Sequence, residues 1–208
     1  MKILAVALLL VVAACTTTKE GAPTREAWLT GKLTFREVKT EAPTAKPSSG
    51  YPAPQQKADD PAVRSAKATR QSADDQVREQ ALGAFDCSAP DPLVGNDDAV
   101  APLVTCNAGD VKYDLGPVFL DGDRITEAEP VPSPDGGHVV SVEFDSQGAK
   151  VWGDFTTGHV GKQVAILING RVLSAPTIQS PITGGAAQIS GRFTAKEAAQ
   201  LAAQLSGR

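Results

Sequence analysis

The chain has 208 residues, of which 41% are apolar and 5% aromatic, and its net charge is −4. That acidic balance argues against nucleic acid as a partner, whose usual footprint is a basic patch. It argues equally against an electrostatic grip on anionic lipid.

The N-terminus reads as a signal segment over residues 1–14. Lys2 supplies a positive start, and Ile3 to Ala14 is an apolar run. That run is shorter than the ~20 residues of a spanning helix. Val12-Ala13-Ala14-Cys15 fits a lipobox, the small-residue motif at which bacterial prolipoproteins are diacylated on cysteine and cleaved. Cys15 is therefore the expected lipid attachment site, with residues 15–30 as a polar tether. The rival reading is an ordinary secretory signal with a chance cysteine.

Leu33-Thr34-Phe35-Arg36-Glu37-Val38 alternates like a strand. Residues 31–40 are expected to form a strand, with a lone edge strand or a segment without order as the alternative. Residues 41–71 mix Pro43, Pro47, Pro52, Pro54 and Pro61 with Ala, Ser, Gln and Lys. Such a composition buries too little apolar surface to offset ordering entropy, so a disordered Pro/Ala-rich linker is expected. Ser72 to Phe85 reads as a helix opened by Ser72 and Asp75, with Val77, Ala81, Ala84 and Phe85 on its inner face.

Cys87 and Cys106 flank a loop rich in Pro, Gly and Asp. In an exported protein they are expected to form a disulfide. A metal pair is the rival, but two cysteines without a nearby histidine make a poor zinc site. Asp121-Gly122-Asp123 and Asn96-Asp97-Asp98 lack the rest of a calcium loop and read as solvated turns. No cofactor or metal is expected.

Lys112 to Leu115 is a brief strand and Ile125 to Val131 a second extended piece. His138 to Phe144 alternates strongly, with Val140, Val142 and Phe144 facing one way. Asp145 or Ser146 caps a helix to about Thr157, striped by Ala149, Trp152 and Phe155 or Thr156. Lys162 to Ile168 and Arg171 to Gln179 are strands joined by Asn169-Gly170, the strongest short hairpin signal. A two-residue loop sets Leu167 against Val172 and Ile166 against Leu173. Both faces of this hairpin are apolar, so it is expected inside a covered sheet. Arg171, beside the turn, is expected to tolerate replacement. Gly184-Gly185 reads as a turn with positive φ. Thr194 and Glu197 form a capping box for a last helix to Leu205. The class is α+β: a mostly antiparallel sheet with two helices on one face, preceded by the disordered linker.

VAILINGRVLSAPTIQSPITGGAAQISGRFTAKEA closely resembles the end of the head subdomain in the first extracytoplasmic (periplasmic) region of SecD. SecD is the membrane subunit that assists the Sec protein-export channel. The family's hairpin pattern falls on Val164 to Ile178 and its Gly-Gly-to-helix pattern on Ile182 to Ala198. FDSQGAKVW, GPVFL and the cysteine-flanked DCSAPDP to PLVTC stretch resemble the same family. LTFREV is similar to a strand of its base subdomain, whose Gly-rich opening strand is not found here. The resemblance implies a head-like domain over residues 72–208 and no catalytic residues. Where SecD often carries Arg or another polar residue after Gly-Gly, this chain has Ala186. Nothing after Ala14 is apolar enough to span a bilayer, so SecD's proton-driven motor is expected to be missing from this chain.

The expected function is a non-catalytic, stand-alone lipoprotein on the extracytoplasmic face of the cell membrane. Its SecD-like head would bind unfolded or translocating polypeptide and assist export with Sec-channel components; its ligand-binding residues stay open. The alternative is a structural or small-ligand-binding envelope module that reuses the fold. A hydrolase is a distant third, since neither His138 nor His159 has a recognisable nucleophile elbow. Replacing Cys15→Ser should move the protein from the membrane fraction to the soluble fraction of disrupted cells. An unchanged distribution would rule out lipid attachment there.

Overall fold

A computed structural model describes residues 29–46, 56–134 and 136–206. The signal segment, Cys15 and most of the tether lie outside the described residues. So do residues 47–55 of the expected linker.

The fold grows outward from the Asn169-Gly170 hairpin. Strands β1 (Leu33–Pro43), β2 (Leu103–Cys106), β3 (Val111–Asp121), β6 (Val164–Ile168) and β7 (Arg171–Ser174) form one sheet in the order β2-β3-β1-β6-β7. All its strand pairs are antiparallel. Every residue of β6 is buried. Val164, Ile166 and Ile168 enter a main core with Leu33 and Phe35. Ala165 and Leu167 enter a second core with Val63, Leu93, Leu103, Leu115 and Val172. Apolar residues on both strand faces thus have a core on each side, as double-sided patterning requires.

This sheet curls. A parallel bridge joins Asn107, just past β2, to Val172 of β7. The Thr105 hydroxyl donates to the Gly170 carbonyl at 2.9 Å, and the curl wraps the second core. Asn169 (φ 50°) and Gly170 (φ 79°) take the left-handed backbone of a type I′ turn. The pairs Ile168 with Arg171 and Leu167 with Val172 match expectation. Beyond them a bulge sets Ile166 against Ser174 rather than Leu173. The extra residue frees Leu173 to lean on the main core.

Several expectations need correction. The strand expected over residues 31–40 forms as β1, but the lone-edge and unordered alternatives fall: it is the central strand, paired to β3 on one side and β6 on the other. It also runs on to Pro43, into the stretch expected to be linker. β3 is much longer than Lys112–Leu115. Bulges leave Gly116 and Pro117 between the pairs Arg36–Val118 and Val38–Leu115, so a residue without an N–H does not break the ladder.

Residues 61–70 of the expected linker form helix α1 (Pro61–Arg70). The Asp60 carboxylate accepts from the Ala62 N–H, and Pro61 sits in the first turn, where its missing N–H costs nothing. Helix α2 (Asp75–Ala84) is capped by Asp74 rather than Ser72, whose hydroxyl instead accepts from the Asp74 N–H. Its buried residues are Arg78 and Leu82, not Val77, Ala81, Ala84 and Phe85. The reason is the buried Arg78–Asp114 ion pair (2.9 Å), which turns α2 so that an arginine faces the sheet.

Two more buried arginines clasp the loop between the cysteines. Arg70 bonds both oxygens of Asp91 (2.6 and 2.9 Å), donates to the Val104 carbonyl and lies 3.8 Å over the Phe85 ring. Arg36, fully buried on β1, donates to Asp97 (2.8 Å) and to the carbonyls of Asp98, Ala101 and Gly116. Burial pulls the Arg36 pKa below its ordinary value, opposed by Asp97. Cys87 and Cys106 are joined in a buried disulfide that closes the same loop.

The second sheet is β4 (Ile125–Pro132), β5 (His138–Phe144) and β8 (Ala186–Phe193), in the order β4-β5-β8. Val140, Val142, Ala187 and Ile189 face the main core. The class is α+β, with two antiparallel sheets in place of one and, among the described residues, four α-helices where three were expected. Helix α3 (Ser146–Gly158) is capped by Asp145 and buries Trp152 against Phe35, Phe119 and Phe144. Helix α4 (Ala195–Ser206) has the full capping box: the Thr194 N–H donates to Glu197, and the Glu197 N–H to the Thr194 hydroxyl. Ala198, Leu201, Ala202 and Leu205 form its inner face.

Breaking a buried ion pair from one side leaves an uncompensated charge, which costs about 3–5 kcal/mol. Asp97→Ala should therefore destabilise the domain by about 3 kcal/mol in urea unfolding. Arg171, only 2% exposed and donating to the Asn107 carbonyl, is not a free turn residue. Arg171→Ala should lower the melting temperature measurably rather than leave the fold unchanged.

Candidate functional site

The two sheets face each other across the main core, and one side of that sandwich is closed by α4. The Ser206 hydroxyl accepts from the Ala128 N–H and donates to the Ala128 carbonyl on β4, while the Gln204 amide donates to the Gly31 carbonyl. The opposite side, between β7 and β8, is a groove.

One wall of the groove is β7 and the chain that follows it. Pro176 and Ile178 carbonyls accept from the Val164 and Gly161 N–H groups, and the Ile178 N–H donates to the Lys162 carbonyl. The Ile182 N–H donates to the Thr156 hydroxyl of α3 at 3.0 Å. These bonds hold residues 176–182 extended without placing them in a ladder of their own. The other wall is β8. Gly185 (φ 75°) makes the turn into it, and an added Cβ there would lie 3.0 Å from the Ala149 Cβ. Ala187 and Ile189 point inward, whereas Gln188 and Ser190 are exposed. β5 is the only strand paired with β8 among the described residues, so its outer edge is open.

Two recesses lie along this groove. One, of about 410 Å³, is lined by Trp152, Ile166, Ile178, Ile182 and Ala187 and contains no charged side chain. The other, of about 920 Å³, is lined by Leu173, Ser174, His138, Ser190 and Asp110 among others. Each holds an unsatisfied polar atom. Trp152 is 3% exposed and its indole Nε1–H has no acceptor; the buried Ser174 hydroxyl also has no partner. A buried group left without a hydrogen bond costs about 1–3 kcal/mol.

Of the residues singled out in the sequence, Gly185 and Ala186 belong to this groove. Ala186 lines the apolar recess. Gly184 has no left-handed backbone, so the turn conformation falls on Gly185 alone. Asn169 and Gly170 sit at the hairpin tip under the disulfide loop. There the Gly95 N–H donates to the Asn169 carbonyl, and the Asn169 amide bonds the Lys32 N–H and the Thr30 carbonyl. Cys87 and Cys106 line neither recess. His159 caps α3, stacks on Phe155 and lies 3.8 Å from Glu37, apart from His138. Asp97 serves Arg36, and Asp121 pairs with Lys32. Sequence reasoning missed the groove. Periodicity places Trp152 on an apolar stripe but says nothing of its unpaired indole N–H, and it cannot say which strands end up at sheet edges.

Fold and groove together define an α+β subdomain built of two antiparallel sheets. Residues 104–207 match the family model of the SecDF P1 head subdomain, and the chain belongs to that family. The protein translocase subunit SecD of Mycobacterium tuberculosis (strain ATCC 25618 / H37Rv) is 41% identical over 143 residues, covering 65% of this chain and 25% of that protein. The corresponding subunit of Rhodobacter capsulatus is 46% identical over 83 residues, covering 40% of this chain and 15% of that protein. The chain thus spans a quarter or less of the length of these relatives. A crystal structure of SecDF in its super-membrane-facing form superposes with a TM-score of 0.50 at 26% identity, covering 85% of this chain and 18% of that one. Among the described residues, no helix is long and apolar enough to cross a membrane.

Trp152→Phe removes an unsatisfied donor while keeping most of the ring, so urea unfolding should show a loss under about 1.5 kcal/mol. Trp152→Ala opens a cavity beside Phe35 and Phe144 and should lose about 3–5 kcal/mol.

Proposed function

We propose that this protein is a non-catalytic envelope lipoprotein that holds extended polypeptide in the groove between β7 and β8 and assists protein export. Cys15 carries the lipid and anchors the domain on the extracytoplasmic face of the cell membrane. The family membership supports the link to export, and the relatives named as translocase subunits support Sec-channel components as partners.

The carrying observation is the β8 edge that no described strand pairs with, beside an apolar recess lined by Trp152, Ile178 and Ile182. An extended chain adding to a strand edge gains main-chain hydrogen bonds whatever its sequence, and places alternate side chains in the adjoining pockets. A client strand on β8 would set every second side chain into the recess formed by Trp152, Ile178 and Ile182.

A second reading has its own support. A recess of about 410 Å³ with a single orphaned donor is within the size range of small-ligand sites. In that case the protein reuses the fold without a role in export.

Titration of the full chain, in detergent, with a reduced and unfolded model polypeptide separates the two. Binding should be saturable and should fall at least tenfold in Ile182→Asp, which puts a carboxylate into the half-buried rim of the recess. Circular dichroism of the variant checks that the fold survives. Binding no stronger than that of an unrelated acidic domain would leave the fold-reuse reading. Crosslinking in intact cells should recover a Sec-channel subunit with the wild-type protein.

A further inference from the structure

We infer that the groove selects polypeptide segments in which apolar residues alternate with basic ones, the basic side chains being read by Glu143 across Ala186. This rests on the polypeptide-binding reading and specifies the class of client.

The outer face of the β4-β5-β8 sheet, away from the main core, carries Glu127, Glu129 and Glu143, all exposed. Glu127 and Glu143 are direct cross-strand partners. Like charges directly opposite each other on a sheet are destabilising. No hydrogen bond or ion pair engages the three carboxylates among the described residues. The fold therefore maintains a repulsive pair that no described cation neutralises.

Acidic residues alone would not define a site. The β8 edge that no described strand pairs with and the apolar recess beside it are independent observations, and they fix where an occupant would lie. Side chains of an added strand alternate in the same way as those of β8. Positions level with Ala187 and Ile189 enter the apolar recess. Positions level with Ala186, Gln188 and Ser190 emerge on the outer face. Ala186 is the cross-strand partner of Glu143. An alanine methyl there leaves the path from the client to Glu143 uncovered. Two strand spacings, about 10 Å, separate a client backbone from β5. An extended lysine or arginine side chain lying over Ala186 spans most of that distance and meets the Glu143 carboxylate. A client glutamate at the same position would face Glu143 and Glu127 together.

The test uses the full chain in detergent with Trp28→Phe, so that Trp152 is the only tryptophan and reports occupation of the recess by its fluorescence. Three short peptides share the same alternating leucines and differ in the intervening residues: lysine, serine or glutamate. The lysine peptide should bind about tenfold more tightly than the serine peptide at low salt, and the glutamate peptide more weakly than either. Raising the salt should narrow the spread. Glu143→Gln and, separately, Ala186→Arg, which supplies an internal cation, should each bring lysine and serine peptides to within about twofold. A control carrying Asp59→Asn and Glu79→Gln removes charge elsewhere and should keep the preference. Equal binding of the lysine and glutamate peptides, or a preference unaffected by Glu143→Gln and Ala186→Arg, overturns the inference while leaving polypeptide binding intact. Failure of the serine peptide and of both others to perturb Trp152 overturns the polypeptide-binding reading itself.

Discussion

The structure depends on one constraint: β6 is buried on both faces. A strand with Val164, Ile166 and Ile168 on one side and Ala165 and Leu167 on the other needs a core above and a core below. The main core is supplied by the second sheet with α3 and α4. The second core is closed by the curl of β2 and β3 and by the polar segment carrying α1 and the disulfide loop. Removing either layer would expose a row of aliphatic side chains to water, so the layers are energetically linked through β6.

The second core is covered by sequence that has little apolar surface to offer. Among the described residues of α1, α2 and the disulfide loop, only a few, such as Val63, Leu82, Leu93 and Val94, are buried aliphatics. Three buried arginines fasten this cover instead. Arg36 reaches up from the central strand to Asp97, Arg70 reaches from α1 to Asp91, and Arg78 reaches from α2 to Asp114. Buried ion pairs contribute little net stability compared with well-packed apolar groups, but breaking one is expensive. They therefore fix where the cover sits more than they hold the domain folded. The disulfide between Cys87 and Cys106 restricts the same loop and shortens the search for these pairings.

The groove is the counterpart of that closure. One side of the two-sheet sandwich is sealed by α4 and the other is left between two strand edges. Exposed edges invite unwanted pairing, and proteins blunt them with charges, short strands and bulges. Here β7 has four residues, begins beside Asn107 and follows a bulge. β8 is longer, at eight residues, and keeps its outer edge open. The outer face of its own sheet carries the carboxylates of Glu127, Glu129 and Glu143. A strand edge without a ladder partner, beside an apolar recess, is an arrangement that main-chain hydrogen bonding to an added strand would complete.

Local signals in the sequence carried a large part of this architecture. Asn169-Gly170 determined its own turn because only residues tolerating positive φ fit there. The capping boxes and N-caps at Asp145 and Thr194, and the alternation in His138–Phe144, are likewise local. Each is decided by a backbone preference or periodicity that a short window contains. The tertiary structure decided everything that depends on residues distant in sequence. It made β1 central by placing β3 and β6 on its two sides, from Pro43 against Val111 to Leu33 against Ile168. It ordered α1 in a stretch whose composition argues for disorder, because Arg70 finds Asp91 and Phe85. It turned α2 onto Arg78, because Asp114 lies beneath it. It left β8 at an edge. Composition and periodicity describe what each segment would bury, whereas ion pairs and sheet order depend on which partner the completed fold brings within reach.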